Sequence, residues 1–525
     1  MVTASSVAPD EELPAGGAPA AASPGASLYI DRLVVRLAQS EDAVVIIHKD
    51  HGIAAATFRA SIFRYARALD FLGVGRSSLV ALFAPNCPDA LAIRYATNLL
   101  GAAATFLSAP RSPAARAALI AQVKPDLLVI FPETAHFLPA DVDVRVAAMD
   151  ADLSGASLRL DELAAAQSSE PVACLARSDD VAVIISSGGS TGVPKGSWRT
   201  FAAYSAMVGV PSPTDRRQLV NGHLAYLSEV LVDITLLGGG VVVLKDAYEA
   251  ADTLATIESE RITDLFLVEP QLFDMMDHRD VAHRDLSSLR TLTHIGASAP
   301  PTLRLRARAR LGPVLVHTYG ASEEGLVSVL PPAEYDPARP ERFTSAGRIL
   351  PRVEVRLRQD DGTLAGPGMI GGIEIRSPAM AQGYRNRPDL DAAAFRDGWY
   401  RSGDLGRLDG DGYLHVLGRA VDMAWIDGRM VSPTLVEDTL CCTPTVRYAA
   451  VVVDHGNDRW IAAAVPWPGA GLDEAECRRA LAATYGETFN ARLEIVPLES
   501  VPLTEQGKPD REAICRVSSS RPGQG

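Results

Sequence analysis

Lysine is scarce in this chain: only Lys49, Lys124, Lys195, Lys245 and Lys508 occur among 50 basic residues, the rest being arginine. Positive charge as a whole is short, since 64 acids bring the net charge to −14. A nucleic-acid or acidic-membrane partner needs a basic footprint, so both are excluded. Cysteine is sparse and unpatterned. Cys87, Cys174, Cys441, Cys442, Cys477 and Cys515 show no C-x-x-C spacing and no matching histidine cluster. That excludes a zinc or disulfide framework and leaves free thiols in a reducing compartment. The most apolar stretch, Leu231 to Leu244, is too short to span a membrane and contains Asp233. No arginine-led apolar signal segment opens the chain, so a cytoplasmic protein is expected.

What is present is the composition of a soluble globular protein, 47% hydrophobic and 22% charged over 525 residues. That length exceeds a single hydrophobic core, so at least two domains are expected. An anionic substrate would need a local positive site. In an arginine-biased chain a retained lysine has a chemical reading beside chance. A compact ammonium reaches a single phosphate oxygen where a planar guanidinium does not fit.

Residues 1–26 are Ala, Pro, Gly and Ser with a few acids and read as a disordered tail. From Leu28 the pattern is globular. Strand runs (Val44 to Ile47, Leu79 to Phe83, Leu127 to Ile130) alternate with helical periodicity (Thr57 to Leu72, Leu91 to Leu100). Such alternation predicts α/β architecture with parallel, doubly wound sheets. A second alternating block runs from Val181 to about Gly325. Beyond Arg348, short strands spaced by Asp-Gly and Gly-rich turns predict a small β-barrel or curled sheet. After Gly418-Arg419, mixed strand and helix patterns predict a small α+β domain. The expected division is a large domain over 27–418, with subdomains of about 27–175, 176–345 and 346–418, followed by a small domain over 419–525.

The strongest local signal is Ser186-Ser187-Gly188-Gly189-Ser190-Thr191-Gly192-Val193-Pro194-Lys195-Gly196, directly after the strand Val181 to Ile185. Its glycines, hydroxyls and single lysine suit a loop that wraps a polyphosphate. The bland alternative is a Gly/Ser linker, but a linker seldom follows a buried strand or carries one of five lysines. The same loop also fits G-x-S-x-G, the nucleophile elbow of serine hydrolases, with Ser190 as nucleophile. An elbow runs straight into a helix, which Gly192, Pro194 and Gly196 oppose.

Three more segments bear on the choice: Tyr319-Gly320-Ala321-Ser322-Glu323 after the strand Val314 to Val316, Tyr400-Arg401-Ser402-Gly403-Asp404-Leu405-Gly406, and Thr504-Glu505-Gln506-Gly507-Lys508-Pro509-Asp510-Arg511. Singly, each is a common turn. In this order, with the phosphate loop, they resemble the ANL superfamily of adenylating enzymes (acyl-CoA synthetases, peptide-synthetase adenylation domains and luciferases), over about residues 28 to 514. The resemblance implies ATP-dependent activation of a carboxylic acid to an acyl-adenylate, then transfer to a thiol, with a mobile C-terminal domain. It implies that Ser187, Gly188, Gly189, Ser190, Thr191, Gly192 and Lys195 hold the β- and γ-phosphates. Gly296, Ala297 and Ser298 would line the adenine pocket, and Tyr319, followed by Gly320, would stack on the base. Ser322 would touch the α-phosphate and Glu323 would help hold Mg²⁺. Asp404 would bind the ribose hydroxyls with Arg419 close by, and Lys508 would bridge the substrate carboxylate and the α-phosphate. His223 matches a position beside the acyl pocket and reads equally as a satisfied core histidine.

The chain departs from this pattern in places. The family's hinge residue, an Asp or Lys two places after the Arg, is Val421 here, with Asp422 next to it. A common lysine is Trp425, and a Thr-His pair after the phosphate loop is Thr200-Phe201. A binder without catalysis is a third reading, opposed by the joint presence of Glu323, Asp404 and Lys508. The expected acceptor is coenzyme A; the alternative is the phosphopantetheine of a separate carrier protein. Leu224, Ala225 and Tyr226, on a helix expected to begin around Leu224, offer no partner for an α-amino group or an ortho-hydroxyl. The Leu, Val and Tyr residues between 224 and 232, beside His223, predict a pocket for an apolar acid.

Overall fold

The computed structural model describes all residues except 1–26, 109–111, 141, 151–155, 157, 188–194, 296–299, 337, 427, 458, 505–506 and 520–525. The expected tail, the loop residues Gly188 to Gly192 and the segment Gly296, Ala297 and Ser298 therefore lie outside the described residues.

Leu79–Phe83 is apolar at every position because both of its faces are covered. Alternation still sorts its side chains. Val80 and Leu82 join the core shared with Ile46, Val220 and Val242, whereas Leu79, Ala81 and Phe83 pack with Leu119 and Ile120 of the helix Pro113–Val123. This strand belongs to an eight-stranded sheet, and Val220 and Val242 belong to a nine-stranded one. The helices Tyr29–Ala38, Ala55–Phe71, Pro88–Leu99, Phe201–Val208 and Leu227–Gly238 contribute to the core between them. Helix starts follow local chemistry: Ser112, Thr200, Ser432 and Asp473 each accept a hydrogen bond from a first-turn amide. Thr200 thus has a structural task in capping Phe201–Val208, and Phe201 is buried against Tyr29.

Both large sheets have parallel centres, as the strand–helix alternation predicts, with antiparallel strands at their edges. They exchange strands across the boundary expected near residue 175. Val181–Ser187 and Lys195–Thr200 complete the eight-stranded sheet beside Ala103–Phe106, while Val44–His48 and His51–Ala54 extend the nine-stranded sheet beside Val241–Leu244. The motif at Tyr319 is also placed differently, since its strand runs from Leu315 to Ala321. Beyond Arg348 a five-stranded antiparallel sheet centres on Gly371–Arg376 and Trp399–Leu408. The last segment builds a three-stranded sheet, Val446–Asp454, Arg459–Pro466 and Leu493–Pro497. Its core continues without an apolar gap into the outer face of the nine-stranded sheet, where Phe273 and Tyr448 rings lie 4.2 Å apart.

One polar cluster lies inside the core between the two sheets. Arg94 donates to both carboxylate oxygens of Asp233 (3.0 and 2.9 Å) and to the Tyr204 hydroxyl (2.8 Å), and its Nε lies 3.3 Å from Glu229. Tyr95 and Tyr204 donate to the same aspartate. Arg94, Glu229 and Asp233 are all buried. Burial lifts the Glu229 carboxyl to about 8, with Arg94 opposing the shift. Removing one partner of a buried ion pair leaves an uncompensated charge. Arg94→Leu is expected to cost about 3–5 kcal/mol in urea-melting stability of the full chain; a loss below about 1 kcal/mol contradicts this account of the core.

Candidate functional site

The C-terminal ends of the parallel strands open into a cavity of about 1700 Å³, to which the five-stranded sheet and the C-terminal segment also contribute walls. Ligands bind at this end of open α/β sheets because loops and helix starts converge there.

Tyr319 and Gly320 stand at the end of Leu315–Ala321, which returns antiparallel as Gly325–Leu330. A Cβ on Gly320 would sit 2.2 Å from the Gly325 carbonyl oxygen, so only glycine lets this hairpin close. Tyr319 is buried and donates to Asp404 Oδ2 at 2.7 Å. Asp404 comes from Trp399–Leu408, donates its backbone amide to the Ser402 hydroxyl at 3.1 Å, and is ion-paired through Oδ1 with Arg419 at 3.2 Å. Arg419 also donates to the Ser402 carbonyl at 2.8 Å. Burial raises the Asp404 carboxyl above the usual range, while Arg419, the Tyr319 hydroxyl and Lys508 draw it back.

Just past the same strand, Glu323 accepts from the hydroxyls of Ser322 (2.7 Å) and Tyr384 (2.8 Å). Lys195 opens the strand Lys195–Thr200 and places its ammonium 5.5 Å from the centre of the Tyr384 ring. Lys508 reaches the cavity on a turn near the end of the chain. Its carbonyl accepts from the Thr504 amide at 2.7 Å, the Gly507 amide donates to the Thr504 carbonyl at 2.9 Å, and Gly507 is left-handed (φ 75°). Lys508 is an exposed residue and lines the cavity. Desolvation and then Arg419 lower the pKa of its ammonium, while Glu323 and Asp404 oppose the shift.

Lys195, Tyr319, Gly320, Ser322, Glu323, Asp404, Arg419 and Lys508 thus line one cavity, although they come from five separate stretches of sequence. Ser187 ends the strand Val181–Ser187 that leads toward it. That strand returns as an antiparallel partner, Lys195–Thr200, rather than entering a helix. The nucleophile-elbow reading of Ser190 is overturned, because an elbow needs strand, turn and helix in succession.

His223 and Tyr226 line the cavity too, and desolvation lowers the His223 pKa. Leu224 does not. Its side chain is buried in the core between the sheets and its amide donates to Asn86 Oδ1 at 3.1 Å, which turns it away. The helix begins at Leu227, three residues later than expected, because Tyr226 takes a positive φ of 67°. Val421 is 74% exposed, whereas Asp422 is buried between His455 (3.2 Å) and Arg511 (2.6 Å). Three residues went unread in the sequence. Tyr384 and Glu324 share the Glu323 neighbourhood; Glu324 Oε2 is buried without a hydrogen-bond partner, and burial holds this carboxyl well above its ordinary range. Arg199 is buried with both terminal nitrogens unpartnered, and burial lowers its pKa to about 10. The doubled Glu323-Glu324 was the available signal; Tyr384 and Arg199 had none.

A family model described as AMP-binding enzyme matches residues 33–385. The chain is 31% identical over 511 residues to a medium/long-chain-fatty-acid–CoA ligase, FadD8, of Mycobacterium tuberculosis, an alignment covering 92% of this chain and 88% of that one. It is 33% identical over 456 residues to a feruloyl-CoA synthase of an Amycolatopsis species, covering 84% and 89% of the two chains. Among solved structures it resembles the amide bond synthetase McbA of Marinactinospora thermotolerans, with a TM-score of 0.80 at 29% identity over 93% of this chain and 99% of that one.

Tyr319→Phe removes one donor from a buried carboxylate, and hydrogen bonds to charged groups contribute about 1.5–3 kcal/mol. A loss of that order is expected in the thermal stability of the full chain at pH 7. It should shrink on acidification, because a protonated Asp404 no longer needs the donor; a loss independent of pH contradicts the pairing.

Proposed function

The chain belongs to the AMP-binding enzyme family, and on that premise we propose that it activates a carboxylic acid with ATP and passes the acyl group to the thiol of coenzyme A. A carboxylate oxygen attacks the α-phosphorus, the bond to the bridging β-oxygen breaks, and pyrophosphate leaves. The thiol sulfur then attacks the acyl carbonyl, loses its proton, and displaces AMP. The observation that carries this reading is the meeting of Lys508, Glu323 and Asp404 in one cavity.

The attack needs no protein nucleophile; it needs two anions brought together and their charge compensated. Lys508 is assigned to the carboxylate and the α-phosphate, and Lys195 with the loop Ser187 to Gly192 to the β- and γ-phosphates. Desolvation and Arg419 lower the pKa of the Lys508 ammonium, and an incoming anion would oppose both effects. Asp404, oriented by Tyr319 and Arg419, is assigned to the ribose hydroxyls. Gly296, Ala297 and Ser298, with Tyr319 and Gly320, are assigned to the adenine, and Ser322 to the α-phosphate. His223 and Tyr226 are assigned to the acyl side.

Among the described residues no group of three or more His, Cys, Asp or Glu could cage a metal. Magnesium suits such a site, because it binds through one or two carboxylates plus substrate phosphates and keeps several waters. Glu323 fits as that carboxylate, and the ion would neutralise phosphate charge there.

We further assign two working bodies, 27–418 and 419–525. Arg419 is tied to Asp404 and Ser402 of the large body, while Asp422 is tied to His455 and Arg511 of the small one. Between these anchors lie only Ala420 and the exposed Val421, a link short enough to act as pivot without a polar side chain. The full-length likeness to an amide bond synthetase makes an amine the rival acceptor. The free cysteines support a reducing, cytoplasmic setting.

Lys508→Ala is expected to slow acid-dependent ATP–pyrophosphate exchange by about 100-fold or more, the effect of deleting one preorganised charge contact of about 3 kcal/mol. Near-normal exchange removes Lys508 from the reaction.

A further inference from the structure

The cavity does not stop at the strand ends. It follows the inner face of the nine-stranded sheet toward the beginnings of the strands Arg217–Val220, Asp264–Leu267 and Thr291–Ile295. Side chains two apart on a strand share a face, and Thr291, Thr293 and Ile295 all line the cavity. Four steps of about 3.3 Å give this channel a length of about 13 Å. The facing wall is aliphatic, formed by Val230, Leu231 and Ile234 at helical spacing on Leu227–Gly238. The sheet wall carries hydroxyls, from Thr291, Thr293 and Thr318.

At the remote end stand Arg216 and Asp264. Both are mostly buried, with side-chain exposures of 12% and 11%, and their charged atoms are a loose 3.6 Å apart. Arg216 donates to Gln218 Oε1 at 2.6 Å, while its Nε faces Asp264 Oδ1 across that 3.6 Å gap, too far for a hydrogen bond, and Asp264 Oδ2 accepts from the Thr263 hydroxyl at 2.6 Å. Desolvation lowers the pKa of this guanidinium, with Asp264 opposing. The nearby Arg290 is already engaged by Asp215 at 2.9 and 3.1 Å, so the loosely paired charges at this end of the cavity are those of Arg216 and Asp264.

An acid ending in a methyl group would press hydrocarbon against this loosely paired guanidinium and carboxylate and strip their water without replacing its hydrogen bonds, which is costly. A second carboxylate would face Asp264. A hydroxyl can accept from Arg216 and donate to Asp264, so it matches both. We infer that the acid taken by this site is elongated and carries a hydroxyl at the end remote from its carboxylate, read by the Arg216–Asp264 pair. The inference rests on the acid-activating reading given above.

The test compares medium- and long-chain straight acids in three matched forms, with a terminal methyl, hydroxyl or carboxyl group, by acid-dependent pyrophosphate release from the full chain. Wild-type protein is expected to favour the hydroxy acid over its methyl counterpart by about tenfold or more in kcat/KM, since a site built to bond a hydroxyl rejects the analogue lacking it. Arg216→Leu should bring the ratio to within about twofold by improving use of the methyl acid, an effect that structural damage alone would not produce. Equal or better use of the methyl acid by wild type overturns the inference, as does a best rate with the dicarboxylic acid or an unchanged ratio in a folded Arg216→Leu. If that variant does not fold, the wild-type ratio decides. Absence of AMP formation with every acid overturns the acid-activating reading instead, and the inference with it.

Discussion

An ammonium brought among protein atoms loses hydration, and it stays charged only where opposite charge faces it. Lys508 is in that position. It reaches the cavity on a turn within the last twenty residues of the chain, opposed by Arg419 and supported by Glu323 and Asp404. Those carboxylates come from two different sheets, so the cavity gathers charge only when all three parts of the chain are in place. Other contacts dock the C-terminal segment onto the rest of the chain. The Thr302 amide donates to Asp438 at 2.8 Å, and Arg306 lies between the rings of Phe273 (4.8 Å) and Trp467 (5.0 Å). The extended apolar core beneath them makes the docked arrangement a packed interface rather than a contact of charges alone.

Much of the site was legible because its chemistry leaves few residue choices. A turn that must deliver one ammonium was readable as Gly507-Lys508 in a chain with five lysines, and the hairpin at Gly320 admits no side chain. The sheet strands were legible from apolar runs, and Glu474–Tyr485 from helical periodicity. Strand exchange between the two sheets was not, because pairing partners are distant in sequence: Val44–His48 meets Val241–Leu244 nearly two hundred residues away. Tyr384 and Arg199 were invisible for a related reason. Each acquires its place through the short pairing of Gly383–Tyr384 with Lys195–Thr200, and no local pattern announces that pairing. Leu224 lies off the cavity because its amide bonds Asn86, and the helix starts late because Tyr226 takes a positive φ; neither leaves a local mark in the sequence.

The same helix, Leu227–Gly238, links the core to the site. Its Asp233 is held by Arg94, Tyr95 and Tyr204 on one side, while Val230, Leu231 and Ile234 face the cavity. A buried polar anchor on the core side thus holds an aliphatic wall of the cavity, so the core and the cavity share one element.

The central claim is that a carboxylate oxygen bonds to the α-phosphorus of ATP. Its most direct measurement uses an acid whose carboxylate carries heavy oxygen, incubated with ATP and the full chain, with the nucleotide product weighed by mass spectrometry. The account predicts AMP that has gained one labelled oxygen, because hydrolysis or thiol attack at the acyl carbon leaves that oxygen on phosphorus. Release of ADP, or of AMP free of label while the acid is consumed, would contradict it.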